Sequence, residues 1–171
     1  MADNGLETLG ALSDGLAAAV AAAGPSVARV DARHRYPASG IVWSADGVIV
    51  TASHVVRREE DIKVGVGEES VSAEFVGRDP ATDIAVLRAS VTGLTPARWG
   101  DVDALRVGHL TLALGRPGRT VRATMGIASA IGGEWRSPEG GRLSATCRPT
   151  WRCIPAFPAV RLSRPMGRFW A

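Results

Sequence analysis

The chain has 171 residues, of which 46% are hydrophobic and 22% charged, as expected for a soluble globular protein of about one domain. It contains no run of 18 apolar residues, so no membrane span is predicted, and a net charge of +3 gives no reason to expect nucleic-acid binding. Its two cysteines, Cys147 and Cys153, have neither the spacing of a zinc site nor that of a disulfide framework, and no metal or cofactor is predicted.

The N-terminal segment, residues 1–24, is predicted to be a helix. Leucines and a valine recur at steps of three and four residues over 6–23, and Gly24-Pro25 ends the pattern. We expect this helix to pack on the outside of the strands that come after it in the chain. Acidic rather than basic residues precede its apolar half, so no cleaved secretory signal is predicted and a cytoplasmic location is expected.

Residues 25–95 change to short strands separated by turns. Ala45–Gly47 predicts a hairpin in which the glycine supplies the positive φ that the turn needs. Short strands with turn signals at such regular intervals indicate an all-β barrel or sandwich. The predicted strands are Ser26–Arg33, Ala38–Trp43, Val48–Ala52, Ile62–Val66, Ser70–Val76 and Asp83–Ala89.

Residues 96–143 are predicted to continue a connector and then begin a second set of strands. The connector is Thr92–Leu105, and the strands are Leu110–Leu114 and Thr120–Ile131. A strong turn at Gly115–Gly118 separates these strands, and a further turn is predicted at Glu139–Gly141. The order is therefore six strands, a linker, and the start of another set.

His54 lies two residues after the end of the strand Val48–Ala52, with Ser53 between them. A strand that ends by presenting one imidazole can hold a general base rigidly. A lone histidine in such a place is more often structural, so the position alone does not decide between the two interpretations.

Asp83 begins the apolar strand Asp83–Ala89, and a carboxylate there will be partly buried and need a partner. One interpretation is a capping aspartate that binds nearby backbone N–H groups, as we expect of Asp79 beside Pro80. The other is the orienting acid of a catalytic triad, which would accept a hydrogen bond from His54 and fix its tautomer.

Together these stretches resemble the HtrA/Deg branch of the trypsin-like serine proteases. The resemblance spans about residues 25–143, and its collinear motifs are Ala38–Val42, Val50–Val56, Asp79–Leu87, Leu105–His109, Ala113–Gly118 and Met125–Gly132. It implies an all-β fold of two β-barrels, the first complete and the second incomplete here, with the active site between them. It also implies His54 as general base and Asp83 as orienting acid, polypeptide substrates with unfolded or exposed segments, and a possible oligomer. His34 and His109 match no catalytic position and are expected at the surface.

Residues 144–171 depart from that family. Its nucleophile lies in a Gly-x-Ser-Gly-Gly-Pro loop, which this chain lacks. The segment instead has no acid and five arginines, so residues 1–143 carry −2 against +3 for the whole chain. Ser163 has no flanking glycine and is not expected to be a nucleophile.

A one-base shift of the reading frame after about Leu143 would explain this tail. In the shifted frame, each codon consists of the last base of one codon of the present frame and the first two bases of the next. With a suitable choice of synonymous codons, Thr146–Ala171 can then be read as LPTDVALYPGFSGGPLVAADGPVLG. At most positions this reading depends on a free choice of the third base. The pairs Met166–Gly167, Phe169–Trp170 and Trp170–Ala171 leave no such choice, and the residues that they must encode, Gly, Leu and Gly, agree with the reading. The alternative is an Arg/Pro-rich disordered arm for an anionic partner.

The sequence thus predicts a serine endopeptidase by family resemblance, truncated and frameshifted before its serine loop and inactive as written. A base and an orienting acid without a nucleophile leave at most residual activity. The alternative function is a non-catalytic binding remnant, or a pseudogene product, with a basic tail.

Overall fold

A computed structural model describes residues 3–33, 36–67, 69–101, 103–133, 135–136, 142–143 and 146–149. His34, Ser163 and the turn predicted at Glu139–Gly141 lie outside these ranges. The predicted all-β fold with an N-terminal helix is confirmed, since a closed six-stranded barrel comes after the helix and further strands come after the barrel.

Helix α1 spans Asp3–Ala23, and a short 3₁₀ turn at Gly24–Ser26 leads into the first strand. The expected packing of the helix on the barrel is wrong for most of its length. Leu6 and Leu9 are 70% and 64% exposed, and only the last turns near Val20 are half-buried. The leucines recur at helical spacing, yet no described element covers them.

No membrane span was predicted because the chain lacks a run of 18 apolar residues, but one helix meets a criterion based on average hydropathy. By length and composition, Gly5–Ser26 is long and apolar enough to cross one, with a mean hydropathy of 1.3 and none of its window buried. Alanines and leucines outweigh the few charged side chains when the hydropathy is averaged over the window. Signal sequences near an N-terminus meet the same criterion.

The six strands of the first barrel pair in the order β1-β2-β3-β6-β5-β4, and every pair between neighbours is antiparallel. The fifth strand is longer than predicted because a register irregularity between Phe75 and Gly77 lets it bend and continue. Gly47 adopts a φ of 97° in the turn before β3, as predicted. The strands are β1 (Val27–Asp31), β2 (Ala38–Val42), β3 (Val48–Ala52), β4 (Ile62–Val66), β5 (Glu69–Asp79) and β6 (Ile84–Ala89).

The barrel interior is filled by aliphatic side chains that alternate along the strands. Ile49, Val64 and Leu87 are fully buried and pack in one continuous cluster. This cluster fixes the register of β3 against β6, because a slip of one residue would turn the apolar face outward.

Replacing Leu87 with alanine is expected to lower the free energy of unfolding by about 2–5 kcal/mol, since the barrel is closed and cannot collapse into the cavity. Urea denaturation measures this change. Val76→Ala is the matched control, because Val76 is 60% exposed on the neighbouring strand; it should change stability by about 0.5 kcal/mol or less. Equal effects of the two substitutions would contradict the assignment of the core.

A connector links the barrel to a second group of strands. It is held by a hydrogen bond from the Ala97 N–H to the Val42 carbonyl (2.9 Å) and by the rings of Trp43 and Trp99, whose centroids lie 4.8 Å apart. The later strands are β7 (Leu110–Gly115), β8 (Arg122–Gly132), β9 (Trp135–Arg136), β10 (Arg142–Leu143) and β11 (Thr146–Pro149).

The second group does not close within the described residues. Its main sheet has the order β11-β8-β7, and β9 pairs with β10. Met125 and Ile127 on β8 are 55% and 39% exposed, as expected of an incomplete barrel. Thr146–Pro149, in the tail given above as out of frame or disordered, pairs with β8.

Candidate active site

The ends of two neighbouring strands of the first barrel bring His54 and Asp83 together. β3 and β6 are paired so that Ala52 lies opposite Ile84. The chain leaves β3 into a 3₁₀ turn, Ser53–Val55, while Asp83 directly precedes β6. The Ser53 N–H donates to the Asp83 carbonyl at 3.0 Å and continues the pairing by one step.

The carboxylate of Asp83 contacts His54 twice. Oδ2 lies 2.7 Å from the imidazole Nδ1, and Oδ1 accepts a 2.9 Å hydrogen bond from the His54 backbone N–H. Both interpretations of the sequence therefore describe real contacts, since the acid caps a backbone group and also binds the ring. With Nδ1–H held by the carboxylate, the lone pair lies on Nε2, the tautomer that a general base requires.

The pair remains accessible to solvent. The side chains of His54 and Asp83 are 55% and 43% exposed. Among the described residues the imidazole has no hydrogen-bond partner other than Asp83. The pair of His54 and Asp83 can thus accept a proton at Nε2 from a group that is brought there. The described residues place no hydrogen-bonding group at Nε2.

Asp83 adopts a φ of 57°, a left-handed conformation that is uncommon outside glycine. Aspartate and asparagine tolerate it better than other residues because their short polar side chains bond locally. The conformation turns the Asp83 carbonyl toward Ser53 and its carboxylate toward His54. This backbone feature aims the acid, and nothing in the residue pattern predicted it.

The turn before Asp83 is stabilised by Asp79, as expected of an aspartate that precedes proline. Its carboxylate accepts hydrogen bonds from the Thr82 hydroxyl at 2.7 Å and from the Ala81 N–H at 3.0 Å. The Asp83 N–H closes the turn on the Pro80 carbonyl at 3.3 Å. The hydrogen bond from Thr82, and then that from Ala81, lowers the pKa of Asp79 below its ordinary value.

This lowered pKa predicts a dependence of stability on pH. Because the folded-state pKa of Asp79 lies below the ordinary 3.8, its contribution is fully present above that pH and is lost as the pH falls through the folded value. We expect Asp79→Asn to be modestly less stable than the wild type in chemical denaturation at neutral pH. The difference should shrink well below pH 3.8. A constant difference over that range would contradict the linkage.

The other predicted residues lie apart from the pair. His109 is half-buried, and its Nδ1 and Nε2 lie 3.2 and 3.3 Å from the backbone nitrogen and Nε of Arg106. A neutral imidazole can accept one of these two hydrogen bonds at a time. Its ring binds within its own turn, so the expectation of a surface residue is only partly met. Among the described residues, no group of three or more histidine, cysteine, aspartate or glutamate side chains could hold a metal ion.

Known proteins are similar to this chain in sequence and in fold over the region that contains this pair. The trypsin-like peptidase domain family matches residues 38–152. A protein of Ectopseudomonas mendocina (strain ymp) named "Probable periplasmic serine endoprotease DegP-like" is 41% identical over 96 residues, covering 55% of this chain and 20% of that protein. "Periplasmic serine endoprotease DegP" of Escherichia coli (strain K12) is 43% identical over 100 residues, covering 55% and 21%. The chain thus spans about a fifth of the length of these relatives.

Among solved structures, the "Crystal structure of Deg5" is similar with a TM-score of 0.74 and 28% identity, covering 85% of this chain and 77% of that one. The sequence relatives correct one expectation. A cytoplasmic location is wrong for this group, because the matched relatives are named periplasmic. The expectation rested on a missing basic leader, which is weak evidence about the compartment.

Proposed function

The chain belongs to the trypsin-like peptidase family, and from that premise we propose that it derives from a serine endopeptidase with His54 as general base and Asp83 as orienting acid. The observation that carries the proposal is the 2.7 Å contact between His54 Nδ1 and Asp83 Oδ2. In an intact enzyme, Nε2 takes the proton of the serine hydroxyl as that oxygen attacks a peptide carbonyl. His54 then returns the proton to the leaving amine, and water releases the acyl group.

We further propose that residues 144–171 are read out of frame and that the polypeptide as written is inactive. The alternative frame supplies the loop Gly-Phe-Ser-Gly-Gly-Pro, whose serine is the missing nucleophile and whose backbone N–H groups form an oxyanion hole. All six strands of the first barrel end by Ala89, before this tail begins.

The remaining assignments are drawn from the relatives. Their names support polypeptide substrates and a periplasmic location. By length and composition, helix α1 meets a criterion that signal sequences near an N-terminus also meet. Polypeptides with unfolded or exposed segments are the proposed substrates, and an oligomer is the proposed assembly.

The test compares two proteins expressed from the gene, one as it stands and one with the frame shifted by one base at about codon 143. The frame-shifted product is expected to cleave denatured casein, and the 171-residue chain is not. Circular dichroism first establishes that both are folded. Equal cleavage by both proteins would show that the serine loop is not the missing part, and cleavage by neither folded protein would overturn the proposed function.

A further inference from the structure

Arg116 is a buried arginine far along the chain from the candidate active site. It comes directly after β7, and only 7% of it is exposed. Its guanidinium donates to two backbone carbonyls, that of Gly24 at 2.9 Å and that of Gly67 at 3.3 Å. Its own backbone N–H donates to the Ser39 hydroxyl at 2.8 Å. One residue thus joins the N-terminal turn, the β4–β5 hairpin and β2 to the second group of strands.

The charge of Arg116 has no counter-ion among the described residues. None of the ion pairs found there includes it. Its buried Nε has no hydrogen-bond partner within the same ranges. Burial lowers the pKa of the guanidinium, yet an arginine remains charged in a protein. Within the described part of the chain this buried cation is held by neutral carbonyls, and an anion brought beside it would be stabilised.

Arg116 is one of the residues that line a groove of about 490 Å³ between helix α1, the β4–β5 hairpin and the connector. Most of the other side chains in this wall are aliphatic. The groove therefore offers one positive charge on an apolar surface. Its apolar side chains include Val20, Ala21, Val66, Leu94 and Val121.

The backbone groups around the groove are largely occupied. The N–H groups of Gly93 and Leu94 donate to the Ala45 carbonyl at 2.9 and 3.3 Å. The carbonyls of Gly24 and Gly67 accept from Arg116 itself. A bound peptide would bury amide groups without enough partners, whereas a hydrocarbon chain needs none.

We propose that this groove binds an aliphatic monocarboxylate. The carboxylate pairs with the Arg116 guanidinium, and the chain lies along Val20, Val66 and Val121. The charge supplies the head-group preference, and the aliphatic wall supplies affinity in proportion to the apolar area that the chain covers.

Octanoate, with octanol and acetate as comparisons, tests the proposal by isothermal titration on the full 171-residue chain. Octanoate is expected to bind saturably at one site. Octanol, which keeps the chain and loses the charge, should bind about tenfold or more weaker, and acetate should not bind measurably. Arg116→Met should weaken octanoate about tenfold or more and leave octanol unchanged.

A second pair of variants keeps Arg116 intact. Ala21→Trp places a bulky side chain in the groove and should abolish binding of both octanoate and octanol. Ala22→Trp is the matched control, because Ala22 is exposed on the same turn of α1 and does not line the groove. It should bind octanoate as the wild type does.

Four results would overturn the proposal. One is absence of octanoate binding to the folded chain, and another is equal affinity for octanol. The third is octanoate binding only after Glu68→Gln, which would make Glu68, the neighbour of Gly67, the counter-ion. The fourth is tighter binding of an apolar tripeptide with a free carboxyl terminus, which would assign the groove to peptide ends.

Discussion

His54→Ala in the frame-shifted protein is expected to lower kcat/KM for a peptide substrate by about 10⁴-fold or more. The loss should fall mainly on kcat, because without the imidazole no group accepts the proton of the serine hydroxyl as it attacks. KM should change little, since the substrate is held by other contacts. Steady-state hydrolysis of a fluorogenic peptide measures both constants.

His109→Ala is the matched control for that substitution. It removes a second imidazole, one that binds Arg106 in its own turn rather than Asp83. Activity should stay within about twofold of the parent, because His109 lies apart from the pair of His54 and Asp83. A fall of similar size in both variants would indicate loss of the fold, and an active His54→Ala variant would refute the assignment of the base.

Asp83→Asn is expected to lower kcat by about 10⁴-fold in the same protein. The carboxylate accepts from the imidazole at Nδ1 and from the His54 backbone N–H. An amide group in its place can offer an N–H to Nδ1, which would favour the tautomer whose lone pair faces away from the serine. Asp46→Asn is the control, because Asp46 is an exposed acid that pairs with Ser44 and Arg88.

The tautomer of His54 can also be measured in the 171-residue chain, because this measurement does not require a nucleophile. Nitrogen-15 spectra of the His54 ring should show the proton on Nδ1 in the neutral wild-type side chain. In Asp83→Asn the proton should move largely to Nε2. An unchanged tautomer would mean that the contact between Asp83 and His54 does not orient the ring.

Much of the first barrel could be predicted from the sequence because its strands alternate apolar residues between strong turn residues. Val48–Ala52 was predicted with the bounds that the structure shows, since Gly47 fixes the turn before it and the 3₁₀ turn at Ser53 ends it. β5 was predicted too short, because no local pattern marks the irregularity near Gly77 that lets it continue.

The candidate site was predictable as a pair of residues and not as a geometry. A histidine and an aspartate at neighbouring strand ends were visible in the sequence, and pairing of β3 with β6 brings them together. The left-handed backbone of Asp83 and its second contact, to the His54 N–H, depend on the turn around Asp79 and left no periodic signal. The catalytic roles of both residues stay predictions.

Helix α1 and Arg116 show where the residue pattern misleads. The leucine spacing in α1 is typical of a helix that packs on a core, yet Leu6 and Leu9 face solvent. Arg116 sits between Gly115 and Pro117 in a turn, where an arginine is usually exposed, yet tertiary contacts bury it. Both outcomes depend on what lies nearby in space, which spacing along the chain does not reveal.

Labelling with a fluorophosphonate probe, followed by peptide mass spectrometry, tests most directly whether this chain holds a base and an orienting acid without a nucleophile. The folded 171-residue chain should remain unlabelled, and the frame-shifted protein should be labelled at the serine of its Gly-Phe-Ser-Gly-Gly-Pro loop in a reaction that His54→Ala suppresses. Labelling of any serine in the 171-residue chain, or none in the folded frame-shifted protein, would contradict it.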